Sequence, residues 1–287
     1  MAKENYVSLK GQLRGDVKFI VDEDTGEITL AMFPLLVLRR DIYNRAGNLT
    51  PKFDRPIIST SDKEMIRQAK RIKHYDIVEV KGTYLTQHST RNKICPHCGK
   101  INELNTSIQV INPTYIGAVE TSLKNDTDGT NYLLECAEIS NIAKVIGRVC
   151  TPTEDIVFGE TDTGEAYTKY QIAVNRKLFV RDSEGEEDHA DFPVVYSYGE
   201  VAREDKEVLQ QGALVYIDGY IHTMIRDLTA ACDECGQPFT YKAQTMNLTP
   251  YSMEYLRDYR DDVLESTHTS QEGTPDPEMK KDIDKGE

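Results

Sequence analysis

The chain has no tryptophan, only 7 phenylalanines, and no uninterrupted apolar run of transmembrane length. A spanning helix needs about 20 consecutive apolar residues, so none is expected, and Met1–Asn5 opens into a polar strand-like segment without an apolar leader core. These features set the expectation of a cytoplasmic protein that does not meet a membrane. No Walker-type glycine loop, nucleophile elbow or His-x-x-x-His pair occurs, so no catalytic constellation is evident and the expectation is a protein that is not an enzyme. Positive charge is also short: 34 Lys/Arg face 48 Asp/Glu, a net charge of -14. Phosphate binding needs cations, so this total argues against a nucleic-acid partner until its distribution is considered. Residues 1–140 hold 19 basic and 18 acidic side chains, whereas 141–287 hold 15 and 30, with 11 acidic and 5 basic from residue 251 onward. An acidic tail leaves the body freer to meet phosphate than the total suggests.

What is present is a duplication. Gly82 lies 13 residues before Cys95 in the run Cys95-Pro96-His97-Cys98-Gly99, and Gly219 lies 13 before Cys232 in Cys232-Asp233-Glu234-Cys235-Gly236. The same offset of 137 pairs Phe33 with Tyr170, Val37 with Val174, Arg39 with Arg176, Asp54 with Asp191, Pro56 with Pro193 and Pro113 with Pro250. A repeat over this length predicts two similar units, each with its own core.

Both copies begin with alternating strand-like segments broken by a turn, Asp24-Thr25-Gly26-Glu27 in the first and Asp162-Thr163-Gly164-Glu165 in the second. A polar loop, an apolar run and one short helix follow, the helix expected over 62–73 and 200–210. Then comes a hairpin interrupted by the Cys-x-x-Cys-Gly knuckle. Three strands, a helix and two further strands is the order of a five-stranded OB barrel, so the fold expected is all-β: two tandem OB barrels with a knuckle in the hairpin between the fourth and fifth strands. Residues 1–119 are expected to form the first barrel, 120–140 a polar linker, 141–254 the second barrel and 255–287 an acidic, largely disordered tail.

Four of the six cysteines sit in the knuckles, and paired thiols in a reducing compartment bind metal more often than they form disulfides. Zinc in a structural site takes four ligands, and each knuckle supplies two. No histidine repeats at the offset, because His88 aligns with Ile225 and His222 with Leu85. The economical expectation is one structural Zn2+ held by Cys95, Cys98, Cys232 and Cys235, the two hairpin tips meeting; a site pairing two chains is the competitor. Cys136 and Cys150 have no counterparts and are read as buried apolar thiols.

The second copy carries Gly147-Arg148-Val149, then Gln171 to Arg176, then Asp191-Phe192-Pro193 with Tyr198-Gly199, and finally Leu209 to Gly219 with its spaced glycines. Together these span about 80 residues in order, and the stretch resembles the bacterial single-stranded DNA-binding protein family; the first copy keeps less of it. The resemblance implies non-sequence-specific binding of unpaired DNA, with RNA as a related ligand, in replication, recombination or mobile-element maintenance. It also implies a homodimer, since the family often uses four barrels, and replication proteins as partners of the acidic tail. Phe192 and Tyr198 match the family's base-stacking aromatics, with Phe179 near a third, and Arg176 lies in the matched second strand. In the first copy Arg55 and Ser61 stand at the positions of Phe192 and Tyr198, so stacking is lost there. Tyr43 is a substitute beside the basic group Arg39, Arg40 and Arg45, which with Arg55 would contact phosphate. The rival reading is a protein–protein adaptor in a replication or RNA-handling complex, because an OB barrel does not fix function.

Overall fold

The computed structural model describes residues 4–39, 51–136, 139–176 and 190–256. In the first copy, β1 (Asn5–Leu13), β2 (Lys18–Val21), β3 (Ile28–Leu38), β4 (Phe53–Asp54) and β5 (Ile57–Thr60) lead into helix α1 (Lys63–Ala69). A long hairpin of β6 (Ile77–Ile94) and β7 (Ile101–Glu120) follows. After α2 (Asp126–Glu135) the second copy repeats the order as β8 (Asn141–Val149), β9 (Val157–Glu160), β10 (Ala166–Asn175), β11 (Ala190–Asp191), β12 (Val194–Tyr198) and α3 (Gly199–Val208). It ends in the hairpin of β13 (Leu214–Ala231) and β14 (Pro238–Leu256). Among the described residues no helix is long and apolar enough to cross a membrane.

Each copy closes into a barrel by the same pairings. β1 bonds antiparallel to both β3 and β6, and a parallel contact of Ile58 with Ile111 joins β5 to β7. In the second copy β8 bonds to β10 and β13, and the parallel contact is Val195 with Leu248, the same positions shifted by 137. Inward positions are apolar in both: Leu9, Phe33, Val80 and Ile111 in one, Val145, Tyr170, Ile217 and Leu248 in the other. α1 is capped by Asp62, whose Oδ1 accepts the Met65 N–H, and it buries Met65, Ile66 and Ala69 against the barrel.

The copies are joined through their first strands. β1 and β8 pair antiparallel with Val7 opposite Ala143, so one 14-stranded sheet runs through both barrels. The pairing is two-fold symmetric in detail: Asn5 lies opposite Val145, and Leu9 opposite Asn141. The two asparagines, both buried, do the same work. Asn5 exchanges hydrogen bonds with the backbone of Tyr84 (2.9 and 2.8 Å), and Asn141 does so with Ile221 (2.8 and 3.0 Å). Each bond pair extends the β1–β6 or β8–β13 edge two residues past its last paired positions, Val7 with Gly82 and Ala143 with Gly219, where the hairpin leaves the barrel. At that bend a Cβ on Gly82 or Gly219 would fall 2.2 Å from the carbonyl oxygen of Asn112 or Thr249, which is why glycine repeats there.

Two sequence expectations change. The polar segment at 120–140 contains helix α2, started by Asn125, whose side chain accepts the Asp128 N–H, and anchored by buried Leu133. Local capping, the packing of Leu133 with Leu38 and Ile77, and bonds from Gln12 and Arg14 hold a helix where the composition reads as linker. Cys136 and Cys150 are half-buried rather than buried, and Cys136 Sγ lies 4.0 Å from Lys10 Nζ. The tail from residue 257 lies outside the described residues.

Asp205 on α3 is fully buried and accepts a hydrogen bond from the Tyr255 hydroxyl at 2.6 Å. Burial pushes its carboxyl up to about 6 from an ordinary value near 3.8. A carboxyl raised on folding favours the folded state when protonated, and that advantage is lost as pH climbs from about 4 through about 6. Asp205→Asn is therefore expected to stabilise the protein at pH 7 by on the order of 2 kcal/mol and to leave stability at pH 4 nearly unchanged. Thermal melts at the two pH values check this, and an equal change at both would refute the burial cause.

Candidate metal centre and nucleic-acid interface

The long hairpins form an arm. Beyond residue 84, β6 and β7 stay paired to Ile94 and Ile101, about 30 Å at the rise of a strand, and β13 and β14 do the same to Ala231 and Pro238. The tips meet. Cys95, Cys98, Cys232 and Cys235 place their sulfurs within 4.8 Å of one another, with Cys95 to Cys235 at 3.8 Å and Cys98 to Cys232 at 3.6 Å. A disulfide needs about 2.05 Å, whereas tetrahedral coordination at a metal–sulfur distance of about 2.3 Å sets sulfurs about 3.8 Å apart, so the donor set fits a four-thiolate metal site.

Each knuckle is a tight turn closed by backbone bonds, Gly99 N–H to Cys95 O and Gly236 N–H to Cys232 O, both 2.9 Å. Gly99 and Gly236 have φ of 76° and 69°, the left-handed region that a side chain disfavours. The Cys235 and Glu234 N–H groups pull the Cys232 thiol down to about 6, with help from Cys98 and Asn102. The Lys100 N–H acts to lower Cys98, but burial and the sulfurs of Cys232, Cys235 and Cys95 push it up to about 12. Outside the sulfurs, the Asp233 N–H donates to Asn102 Oδ1 at 2.9 Å, Lys93 lies 5.4 Å over the Tyr241 ring, and Phe239 packs on Cys95 and Cys232.

Lower down, each hairpin crosses the other copy's barrel, and two buried ion pairs fasten the crossings. Arg39 donates to Asp54 through Nε (2.6 Å) and Nη2 (3.0 Å), and Asp54 also accepts the N–H of Thr223 at 2.7 Å. Burial acts to raise the Asp54 carboxyl, but bonds from His222, Arg39 and Thr223 outweigh it and hold it below the usual carboxylate range. At the related positions Arg176 donates to Asp191 (2.8 Å) and to the Thr86 carbonyl (3.1 Å), and Asp191 accepts the Thr86 N–H at 2.8 Å. The sequence reading placed Arg39 on phosphate and Arg176, through the family-like second strand, at the nucleic acid. In the structure their side chains are 16% and 9% exposed and are committed to carboxylates, so they bind the two copies to each other. The signal was in the repeat: Arg, Asp and Thr recur together at the 137 offset, which marks a part the fold needs in both copies.

The aromatic candidates lie on the outer face of the second barrel. Phe192 is 41% exposed, its N–H held by Thr86 Oγ1 (3.1 Å) and its carbonyl by Gln171 Nε2 (2.9 Å). Tyr198 is half-buried beside Tyr196, the rings 6.5 Å apart and 19° from parallel. Both line a groove of about 420 Å³ with Tyr167, Lys169, Val157 and Arg226, whose guanidinium sits 4.8 Å over the Tyr196 ring. Sequence reasoning missed Tyr167, Lys169, Tyr196 and Arg226. Alternation of Tyr196 and Tyr198 with Ser197 along β12 put both tyrosines on one face and could have found the pair. In the first copy Arg55 is exposed beside a groove with Arg14, Phe53 and Ile225. Tyr43, Arg40, Arg45 and Phe179 lie outside the described residues.

Two β-barrels of five-stranded OB type, joined edge to edge, with an aromatic groove on the second, define a tandem OB-fold protein. Residues 141–229, within the second copy, match the model of the Single-strand binding protein family. No curated protein sequence matches the chain. Among solved structures, it is similar to a deletion variant of the single-stranded DNA binding protein from Thermus aquaticus, with TM-score 0.55 and 17% identity over 90% of this chain and 98% of that one. The wild-type protein from the same organism gives 0.54 and 15% over 90% and 95%. At these identities the likeness establishes the fold.

Proposed function

We propose that the protein binds single-stranded DNA with little dependence on sequence, using the aromatic groove of its second copy and a structural zinc that clasps its arm. The observation that carries this is the groove itself. Half-buried Tyr198 lies over buried Tyr196 on one face of a family-matched barrel, with Lys169 and Arg226 beside them, so a stacking ring and phosphate partners converge. Phe192 adds an exposed ring, and Arg55 is the cation offered by the first copy. Four thiols at metal spacing support zinc, and a homodimer with four barrels belongs to the same reading through the family resemblance. The process served is DNA replication, recombination or the maintenance of a mobile element.

Fluorescence anisotropy with single- and double-stranded oligonucleotides tests this. Single strands are expected to bind at least about tenfold more tightly than duplex at moderate salt, with a shallow log–log salt slope corresponding to about two to four released counterions. Equal affinity for duplex and single strand would sink the proposal and favour an adaptor.

A further inference from the structure

The crossing of the first hairpin over the second barrel builds a pocket of about 310 Å³, separate from the tyrosine groove, between Phe192 and the hairpin residues Thr86, His88, Ser107 and Gln109. Thr86 pairs with Gln109 across the strands and His88 with Ser107, so all four side chains stand on one face as a polar square. Thr86 is spent on the backbone of Phe192. The side chains of His88, Ser107 and Gln109 make no hydrogen bond to any described residue, and they sit beside Phe192, whose backbone is held at both its N–H and its carbonyl. The pseudo-symmetric site supplies a control from within the molecule. There the square is Thr223, Ile225, Gln244 and Met246, and Arg55 stands where Phe192 does. Its backbone is held alike, the Arg55 N–H donating to Thr223 Oγ1 at 2.8 Å. The duplication kept the threonine contact and changed its surroundings: the carbonyl of Phe192 is held by Gln171 and that of Arg55 by Gln244 (2.6 Å), and where one square offers His88, Ser107 and Gln109 beside a ring, the other offers Ile225, Gln244 and Met246 beside a cation.

We propose that the pocket at Phe192 takes one nucleobase of the bound strand, stacked on the ring and hydrogen-bonded along its edge by Gln109, Ser107 and His88. At this one position the protein reads base identity. The inference rests on the single-strand binding proposed above and deepens it. A carboxamide carries donor and acceptor side by side, the pattern that matches the edge of a base, and a hydroxyl and an imidazole extend the choice. Such a site rejects a base whose pattern leaves its polar groups unpaired.

The test compares full-length protein with the double variant His88→Ala/Gln109→Ala, both positions being on the hairpin surface. Anisotropy titrations at one salt concentration use labelled dT, dC and dA oligonucleotides of equal length. The variant is expected to keep its salt slope while the ratios of its affinities for the three strands shift from the parent's by about 5- to 20-fold. Differences intrinsic to the strands, such as stacking within dA, affect both proteins equally and cancel in that comparison. Ratios that agree within about twofold, with binding intact, would overturn base reading alone. A parent that binds none of the strands would take the proposed function down with it.

Discussion

Purified protein is expected to carry one zinc per chain, and Cys95→Ser and Cys232→Ser are each expected to release that same ion. The two knuckles come from opposite ends of the duplication, yet their four sulfurs lie within 4.8 Å, so neither pair makes a complete site without the other. The apparent binding free energy of a four-thiolate zinc is on the order of 10 kcal/mol, which exceeds anything else that holds the tips. What else holds them, among the described residues, is the bond from the Asp233 N–H to the Asn102 side chain, the His97 Nε2–Pro238 carbonyl contact at 3.2 Å, the Lys93–Tyr241 contact and a small cluster around Phe239. The barrels, by contrast, have a continuous core and the Asn5 and Asn141 ties. Chelation should therefore remove hydrogen-exchange protection from about residues 93–104 and 230–241 while the barrel strands stay protected. Two zincs per chain would refute the shared site, no zinc would refute the knuckle reading, and barrels that unfold together with the tips would refute the independence of the arm.

The sequence exposed the architecture because a duplication repeats whatever the fold cannot lose. Phe33 and Tyr170, Val80 and Ile217, and Gly82 and Gly219 recur, and each pair occupies the same core or bend position. The meeting of the knuckles was also legible, since half a ligand set on each copy demands a partner. Arg39 and Arg176 were misread because a one-dimensional string gives charge without saying what lies opposite. Their carboxylates are 15 residues away in sequence and the Thr223 and Thr86 backbones come from the other copy. The crossing of the arms was hidden for the same reason: it is a contact between copies, and the offset describes only likeness within them. Helix α2 went unread because it is held by a cap, by Leu133 packed with Leu38 and Ile77, and by bonds from Gln12 and Arg14, contacts with distant residues that leave no apolar stripe in the sequence.

Replacing Phe192 and Tyr198 is expected to have the largest effect on binding. Phe192→Ala removes an exposed ring whose backbone is fixed independently by Thr86 and Gln171, so the fold should survive and affinity for single strands should fall by about 1–3 kcal/mol, roughly 5- to 150-fold. Tyr198→Ala should cost a similar amount, but its ring also packs beside Tyr196, so a thermal melt must accompany the titration and Tyr198→Phe should keep both fold and binding. Neither change touches a cation, and the salt slope should stay as in the parent. Arg55→Ala is the counterpart. It removes an exposed charge at the position related to Phe192, so affinity should drop modestly and the slope should flatten by about one counterion. The first copy would then add a cation at the position where the second offers a ring, beside the charge that Lys169 and Arg226 already supply in the second-copy groove. If folded Phe192→Ala and Tyr198→Ala proteins bind oligonucleotide like the parent, the aromatic face of the second barrel is not the binding groove and the assignment fails at its central residues.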